Sequence, residues 1–173
     1  MDVLEAIRTR RSVRAFTGEA VTEEEVQRLI EAARWAPSAG NLQPWEFIIV
    51  RDRETKRKLS IAALDQTFIE DAPVVIIVCA DQTRSARRYQ NRGAHLYSLQ
   101  DTAAATQNIL LTVHAMELGA CWIGAFNESE VREVLGTPRN LKPVAIVPIG
   151  HPAEKPAAPH RRTIDEIVHH ESL

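Results

Sequence analysis

Arg10-Arg11-Ser12-Val13-Arg14 is the stretch on which the reading of this chain turns. Three guanidinium groups and one hydroxyl fall within it, interrupted only by Val13. A guanidinium is a planar, permanently charged fork of donors that matches phosphate and carbonyl oxygens. A hydroxyl adds a small donor that can approach the same anion closely. In an extended segment, Arg10, Ser12 and Arg14 share one side, with Arg11 and Val13 on the other. One chain edge could then hold an anion at one end and an electron-rich ring at the other. Taken alone, such a cluster is ordinarily a solvated surface or a nucleic-acid contact. A formal net charge of −2 argues against nucleic acid.

The whole chain has 173 residues, which fits a single domain over residues 1–173 with a sizeable core. Hydrophobic residues make up 45% and charged residues 25%, an ordinary soluble balance. The first residues carry Asp2 and Glu5 and no apolar h-region, so no signal peptide is expected. The longest apolar runs are too short to span a bilayer, so no membrane partner is expected. Cys79 and Cys121 lie far apart in apolar runs, as buried free thiols of a reducing, cytoplasmic setting would.

Asp2 with Glu5 reads as a cap opening a short helix, and Thr22 with Glu25 repeats the signature. Val26, Leu29, Ile30 and Ala33 then form one apolar stripe that Pro37 brings to an end. Residues 37–44 are a loop by composition, Trp45 to Val50 a strand, and 54–64 a helix. Val74 to Ala80 is a continuous β-branched run, expected as a central strand buried on both faces. Residues 84–93 read as a polar, basic surface segment. Leu96 to Leu118 is the longest helix, apolar almost all round in its middle and closed by Gly119. Cys121 to Phe126 and Val144 to Ile149 read as strands, with a helix between them running from Asn127 to Gly136. Residues 153–173 form an extended Pro-rich arm and a last amphipathic helix capped by Thr163 and Glu166. Trp35 and Trp45 are expected in the core, and His114 as a packed, hydrogen-bonded histidine.

In this order and spacing, several stretches resemble the nitroreductase family of FMN-dependent oxidoreductases. They are Arg10–Arg14, Pro37-Ser38-Ala39-Gly40-Asn41-Leu42-Gln43-Pro44-Trp45, Gly119-Ala120-Cys121-Trp122-Ile123-Gly124 and Arg161-Arg162. The resemblance implies an α+β fold with a central mixed, mostly antiparallel sheet flanked by helices. It implies a homodimer with two FMN sites at its interface, the long helix in that interface and the C-terminal extension docked on the partner. By the same resemblance Arg10 and Ser12 hold the FMN phosphate with Arg161 or Arg162, and Arg11 contributes mainly backbone. Arg14 reaches the pyrimidine edge of the ring. Pro37, Ser38 and Ala39 come from the other subunit, with Asn41 and Gln43 near the ring and the Ile123–Gly124 backbone beside N5. The implied activity is ping-pong hydride transfer from NADH or NADPH through flavin N5 to a small oxidised acceptor. Some relatives instead destroy flavin or dehalogenate reductively, and a non-enzymatic FMN store or redox sensor is a further alternative.

Elementary chemistry supports the cofactor assignment. Arginines neutralise a dianionic phosphate, and a fixed cation near N1 favours a reduced ring. The flavin itself carries the hydride, so no protein nucleophile or base is required. No convincing triad, Rossmann fingerprint or P-loop occurs. His160, His169 and His170 lack companions for a metal set. Many relatives carry a proline after the terminal basic pair, where this chain has Thr163. Many carry a lysine before the central strand, where Gln66 is the sole polar substitute beside Phe68 and Ile69.

Overall fold

The computed structural model describes residues 1–172; Leu173 of the expected C-terminal arm lies outside the described residues. Strands β1 (Trp45–Val50), β2 (Val74–Asp81), β3 (Gly119–Ala120) and β4 (Leu141–Gly150) form one sheet in the order β1-β2-β4-β3. Every pairing among them is antiparallel, with Trp45 opposite Ala80, Val74 opposite Ile149 and Gly119 opposite Gly150. A single parallel bridge, Ser12 to Ala120, lays the arginine segment beside β3.

β2 shows why the sheet is central. Successive side chains of a strand point to opposite faces. Val74, Ile76 and Val78 enter one hydrophobic cluster, Val75, Ile77 and Cys79 the other. Helices α2 (Glu23–Arg34) and α6 (Ser98–Ala115) cover the first face through Val26, Leu29, Ala105 and Ile109. Helices α3 (Arg53–Ala62) and α7 (Glu128–Leu135) cover the second through Leu59, Ala62 and Val131, together with the short α4 (Phe68–Asp71). The result is an antiparallel sheet between two helical layers.

Local signals place most boundaries. Asp2 caps α1 (Val3–Thr9) by accepting from the N–H groups of Leu4 and Glu5. Thr22 and Glu25 form a full capping box on α2, and Asn127 caps α7, which ends at Gly136 with φ 64°.

One expected surface segment proves helical, and four expectations need correction. The surface segment at 84–93 is mostly helix α5 (Gln82–Arg92), capped by the Asp81 side chain, broken at Gln90 with φ 50°, and followed by a wide turn at Gly93–Tyr97. α6 ends at Ala115, and Glu117, not Gly119, takes the left-handed position with φ 62°. The N–H of Leu118 reaches the carbonyl of Val113 and that of Glu117 the carbonyl of His114, completing a Schellman cap. The strand expected over Cys121–Phe126 shrinks to one bridge, Ile123 to Ile146. Beyond Arg162 there is a single turn rather than a helix, with Ile164, Ile167 and Val168 exposed. Trp35 is 73% exposed and donates its indole N–H to Glu31, whereas Trp45 is buried as expected. No helix among the described residues is long and apolar enough to cross a membrane.

A candidate anion and ring site

The arginine segment is held from both sides. The N–H of Val13 donates to the carbonyl of Ala120 at 2.9 Å, and Phe16 bridges Pro152. Thr9 closes α1 against α6 through a 2.7 Å hydrogen bond to His114 Nε2. Gly119 makes this docking possible, since a Cβ there would lie 2.8 Å from Val13 Cγ1.

With the backbone so fixed, the residues separate as their alternation requires. Val13 is buried against Gly119, while Arg14, Ser12 and Arg10 surround Cys121. Burial pushes the Cys121 thiol up in pKa, opposed by Arg14, the Ser12 hydroxyl and Arg10. Burial also pushes the Arg10 guanidinium down, and the charges of Arg161 and Arg11 add to this, with Cys121 opposing. Arg161 is thus the terminal arginine whose charge reaches Arg10. Arg162 instead donates to the carbonyl of Glu166 within its own turn. Arg11 folds back, giving 2.8 Å hydrogen bonds to the carbonyls of Arg8 and Arg10 at the end of α1.

Among the described residues, none of Arg10, Arg11, Arg14 and Arg161 has a carboxylate ion-pair partner. Glu154 comes near, but Oε1 takes the backbone N–H groups of Arg14 and Ala15 at 2.5 and 3.1 Å. Converging cations without a counter-charge form a site for an anion. Beside them, Arg10, Arg11, Val13, His114 and Glu154 line a cavity of about 630 Å³.

The Pro37–Pro44 loop is built separately. Ala39–Asn41 forms a 3-10 turn in which Gly40 and Asn41 both have positive φ, as does Gln43. Ser38 Oγ accepts from the N–H of Gln43, and Gln43 donates from Nε2 to Asn41 Oδ1 at 3.1 Å. The loop is pinned by Asp101 of α6, whose Oδ1 accepts from the N–H of Ala39 at 3.1 Å. Asp101 is buried, its Oδ2 lacks a hydrogen-bond partner among the described residues, and burial pushes its carboxyl up.

Asp101 holds the loop and His114 the arginine segment, from opposite ends of α6. At ~1.5 Å rise per residue their separation is about 20 Å. Accordingly Arg10 and Arg11, Asn41 and Gln43, and Gly124 line three different depressions of one chain. Pro37 is exposed at the loop, and the Ile123–Gly124 backbone follows Cys121 and Trp122 beside Ala103 and Val144. Gln66 is turned away, donating to the carbonyls of Ala63 and Ala125.

Sequence reasoning passed over Thr9, Asp101, Glu154, Arg84 and Arg88 as parts of this framework. For Asp101 a signal existed. It is the sole acid between Asp81 and Glu117.

The family model of the Nitroreductase family matches residues 7–69 and 60–151. A protein of Archaeoglobus fulgidus, whose name pairs NADH dehydrogenase with NAD(P)H nitroreductase, is 37% identical over 158 residues, spanning 89% of this chain and 87% of its own. An FMN reductase (NADPH) of Bacillus subtilis is 32% identical over 95% of this chain and 73% of its own. The solved NADPH:FMN oxidoreductase of Vibrio harveyi, complexed with NAD+, superimposes with a TM-score of 0.90 at 29% identity, over 98% of this chain and 77% of that one. The match begins just before the arginine segment, runs through the Pro37 loop and the Gly119–Gly124 turn, and closes with β4; this chain belongs to the nitroreductase family.

Proposed function

We propose that this chain is an FMN-dependent NAD(P)H oxidoreductase acting on a small oxidised acceptor. The observation that carries the reading is the gathering of Arg10, Ser12 and Arg14 about Cys121, with the charge of Arg161 reaching Arg10 and no ion-pair partner for these arginines among the described residues. That donor set suits a dianionic phosphate at the Arg10–Arg161 end and an electron-rich ring at Arg14. Bound FMN supplies hydride acceptance and return, so the protein needs no nucleophile or general base. Arg10, Ser12 and Arg161 hold the phosphate. Arg14 places a fixed positive charge where a reduced ring gathers negative charge. The Ile123–Gly124 backbone would border the ring, and nothing in the chain lies within 4 Å of where a Gly124 Cβ would stand, so the approach there is open. The names of the Bacillus subtilis and Vibrio harveyi relatives accord with this chemistry.

The site is completed by a second copy. One chain anchors the Pro37–Gln43 loop and the arginine segment at points of α6 about 20 Å apart. A twofold, antiparallel packing of α6 on its copy brings one protomer's Asp101 end beside the other's His114 end. Leu99, Ala103, Gln107, Leu111 and Ala115 form an incompletely buried stripe on α6 suited to that contact. The exposed Val3, Leu4, Ile7, Ile164, Ile167 and Val168 add apolar surface for a partner to cover.

The test is direct. The purified protein is yellow, releases FMN on denaturation, and oxidises NADH or NADPH steadily with menadione present. Colourless protein that takes up no FMN refutes the reading; retained flavin that no donor reduces refutes its enzymatic part.

A further inference from the structure

We propose that α5 carries a phosphate-reading rim for the dinucleotide donor, and that its uncompensated arginines make this protein prefer NADPH to NADH. The inference rests on the proposed flavin reading and extends it to the donor.

Most other helical arginines are paired with an acid of their own helix, Arg28 with Glu24, Arg34 with Glu31, Arg57 with Glu54 and Arg132 with Glu128; Arg8 of α1 stands alone among the described residues. α5 departs from that pattern. Arg84, Arg87, Arg88 and Arg92 have no ion-pair partner among the described residues. Arg84, Arg87 and Arg88, spaced three and four apart before the break at Gln90, set like charges beside one another, which opposes the helix. The two acids nearby in sequence are otherwise engaged: Asp81 caps the helix by accepting from the Arg84 N–H, and Asp101 is buried and accepts from Ala39.

Neutral groups hold these side chains without cancelling their charge. Arg88 lies 5.4 Å from the Tyr89 ring and Arg92 lies 5.3 Å from the Tyr97 ring. Arg84 donates to the carbonyl of Leu42, and Arg88 to that of Gly40 at 3.5 Å. Gly40 leaves no gap, because a Cβ there would lie 2.7 Å from Tyr89 Oη and 2.8 Å from Arg88 Nη1. α5 and the Asn41–Gln43 loop therefore form one unit, and wherever the loop meets a flavin ring the arginines stand at its rim. A nicotinamide stacked on that ring must send its phosphates outward. NADPH carries one phosphate more than NADH and gains more from a fixed positive field.

The test compares the holoenzyme with Arg87→Gln/Arg92→Gln, neither of which touches the loop, and with Arg28→Gln/Arg57→Gln, a charge-matched control away from α5. Donors are NADPH, NADH and the phosphate-free benzyl-dihydronicotinamide, with menadione as acceptor, and calorimetric titration measures binding of NADP+ and NAD+. The wild type should favour NADPH at low ionic strength. The α5 variant should lose about tenfold in kcat/KM for NADPH and less for NADH, with weaker NADP+ binding. Turnover of the phosphate-free donor and FMN content should hold, and added salt should shrink the difference. The proposal is overturned by a wild type indifferent between NADPH and NADH, by equal loss with the phosphate-free donor, or by the same loss in the control. If the wild type retains no FMN, the flavin reading itself falls and this inference falls with it.

Discussion

Gly119→Ala tests whether the sheet positions the arginine segment. The added methyl would lie 2.8 Å from Val13 Cγ1, 2.9 Å from Val13 Cβ and 3.1 Å from Val13 Cγ2, where ordinary contact begins near 3.4 Å. Val13 is buried and its N–H is bonded to Ala120, so the overlap is relieved only by moving residues 12–14 off β3. Overpacking of this kind costs about 1–3 kcal/mol, and the same displacement carries Ser12 and Arg14 away from Cys121. Urea unfolding should show the stability loss, and an FMN titration should show weakened binding. Val13→Ala alone removes two buried methyl-sized groups and costs about 1.5 kcal/mol in transfer alone. Combined with Gly119→Ala it should recover stability, because the small side chain accepts the new Cβ. The double mutant separates steric coupling from general damage. Strict additivity of the two losses, or normal FMN affinity in Gly119→Ala, would refute the idea that this contact sets the site.

Further outcomes follow from single groups. Arg10→Ala should weaken FMN binding by about 1.5–3 kcal/mol, the range for a hydrogen bond to a charged group, read by fluorescence titration. Arg14→Ala should keep FMN bound while lowering its reduction potential, read in a redox titration. Asp101 has a folded-state pKa raised by burial, so its protonated form is favoured by folding. Stability attributable to it is present below the ordinary carboxyl pKa and lost as pH rises towards the folded value. Asp101→Asn should flatten that decline in urea unfolding across the acid range. Glu154→Ala should free the chain after Pro152 from the Arg14 and Ala15 amides, and faster tryptic cleavage after Arg161 and Arg162 would report it.

What could be read from sequence was whatever short-range chemistry decides. The Thr22–Glu25 box and the Asn127 cap act within one turn, and the β-branched run at Val74–Ala80 needs only burial on two faces. Misreadings occurred where a distant partner decides. Gly119 looked like the residue closing α6, yet Val13 claims its missing Cβ, and Glu117 takes the strained cap one turn past His114. The Thr163–Glu166 signal is genuine, since the N–H of Thr163 does bond Glu166 Oε2 at 2.7 Å. Only one turn forms, because a nucleus this short gains little without a surface against which to bury Ile164, Ile167 and Val168.

The same reasoning explains why the candidate site was legible in kind but not in place. Arg10, Ser12 and Arg14 alternate on one side because the segment is extended, which sequence could anticipate. That Arg161 rather than Arg162 joins them depends on the arm being tied back through Glu154 and Phe16, two contacts across most of the chain length. The separation of the loop from the arginines is set by the length of α6, which sequence shows, and by its anchors at Asp101 and His114, which it does not. A helix that keeps two halves of a site apart in one chain can join them between two. On the proposed twofold packing, the incompletely buried stripe of α6 and the separation of the loop from the arginine segment answer one requirement. Charging that stripe with Leu111→Glu should produce folded monomers that bind FMN poorly; gel filtration and FMN titration should change together, and a monomer with undiminished FMN affinity would separate them.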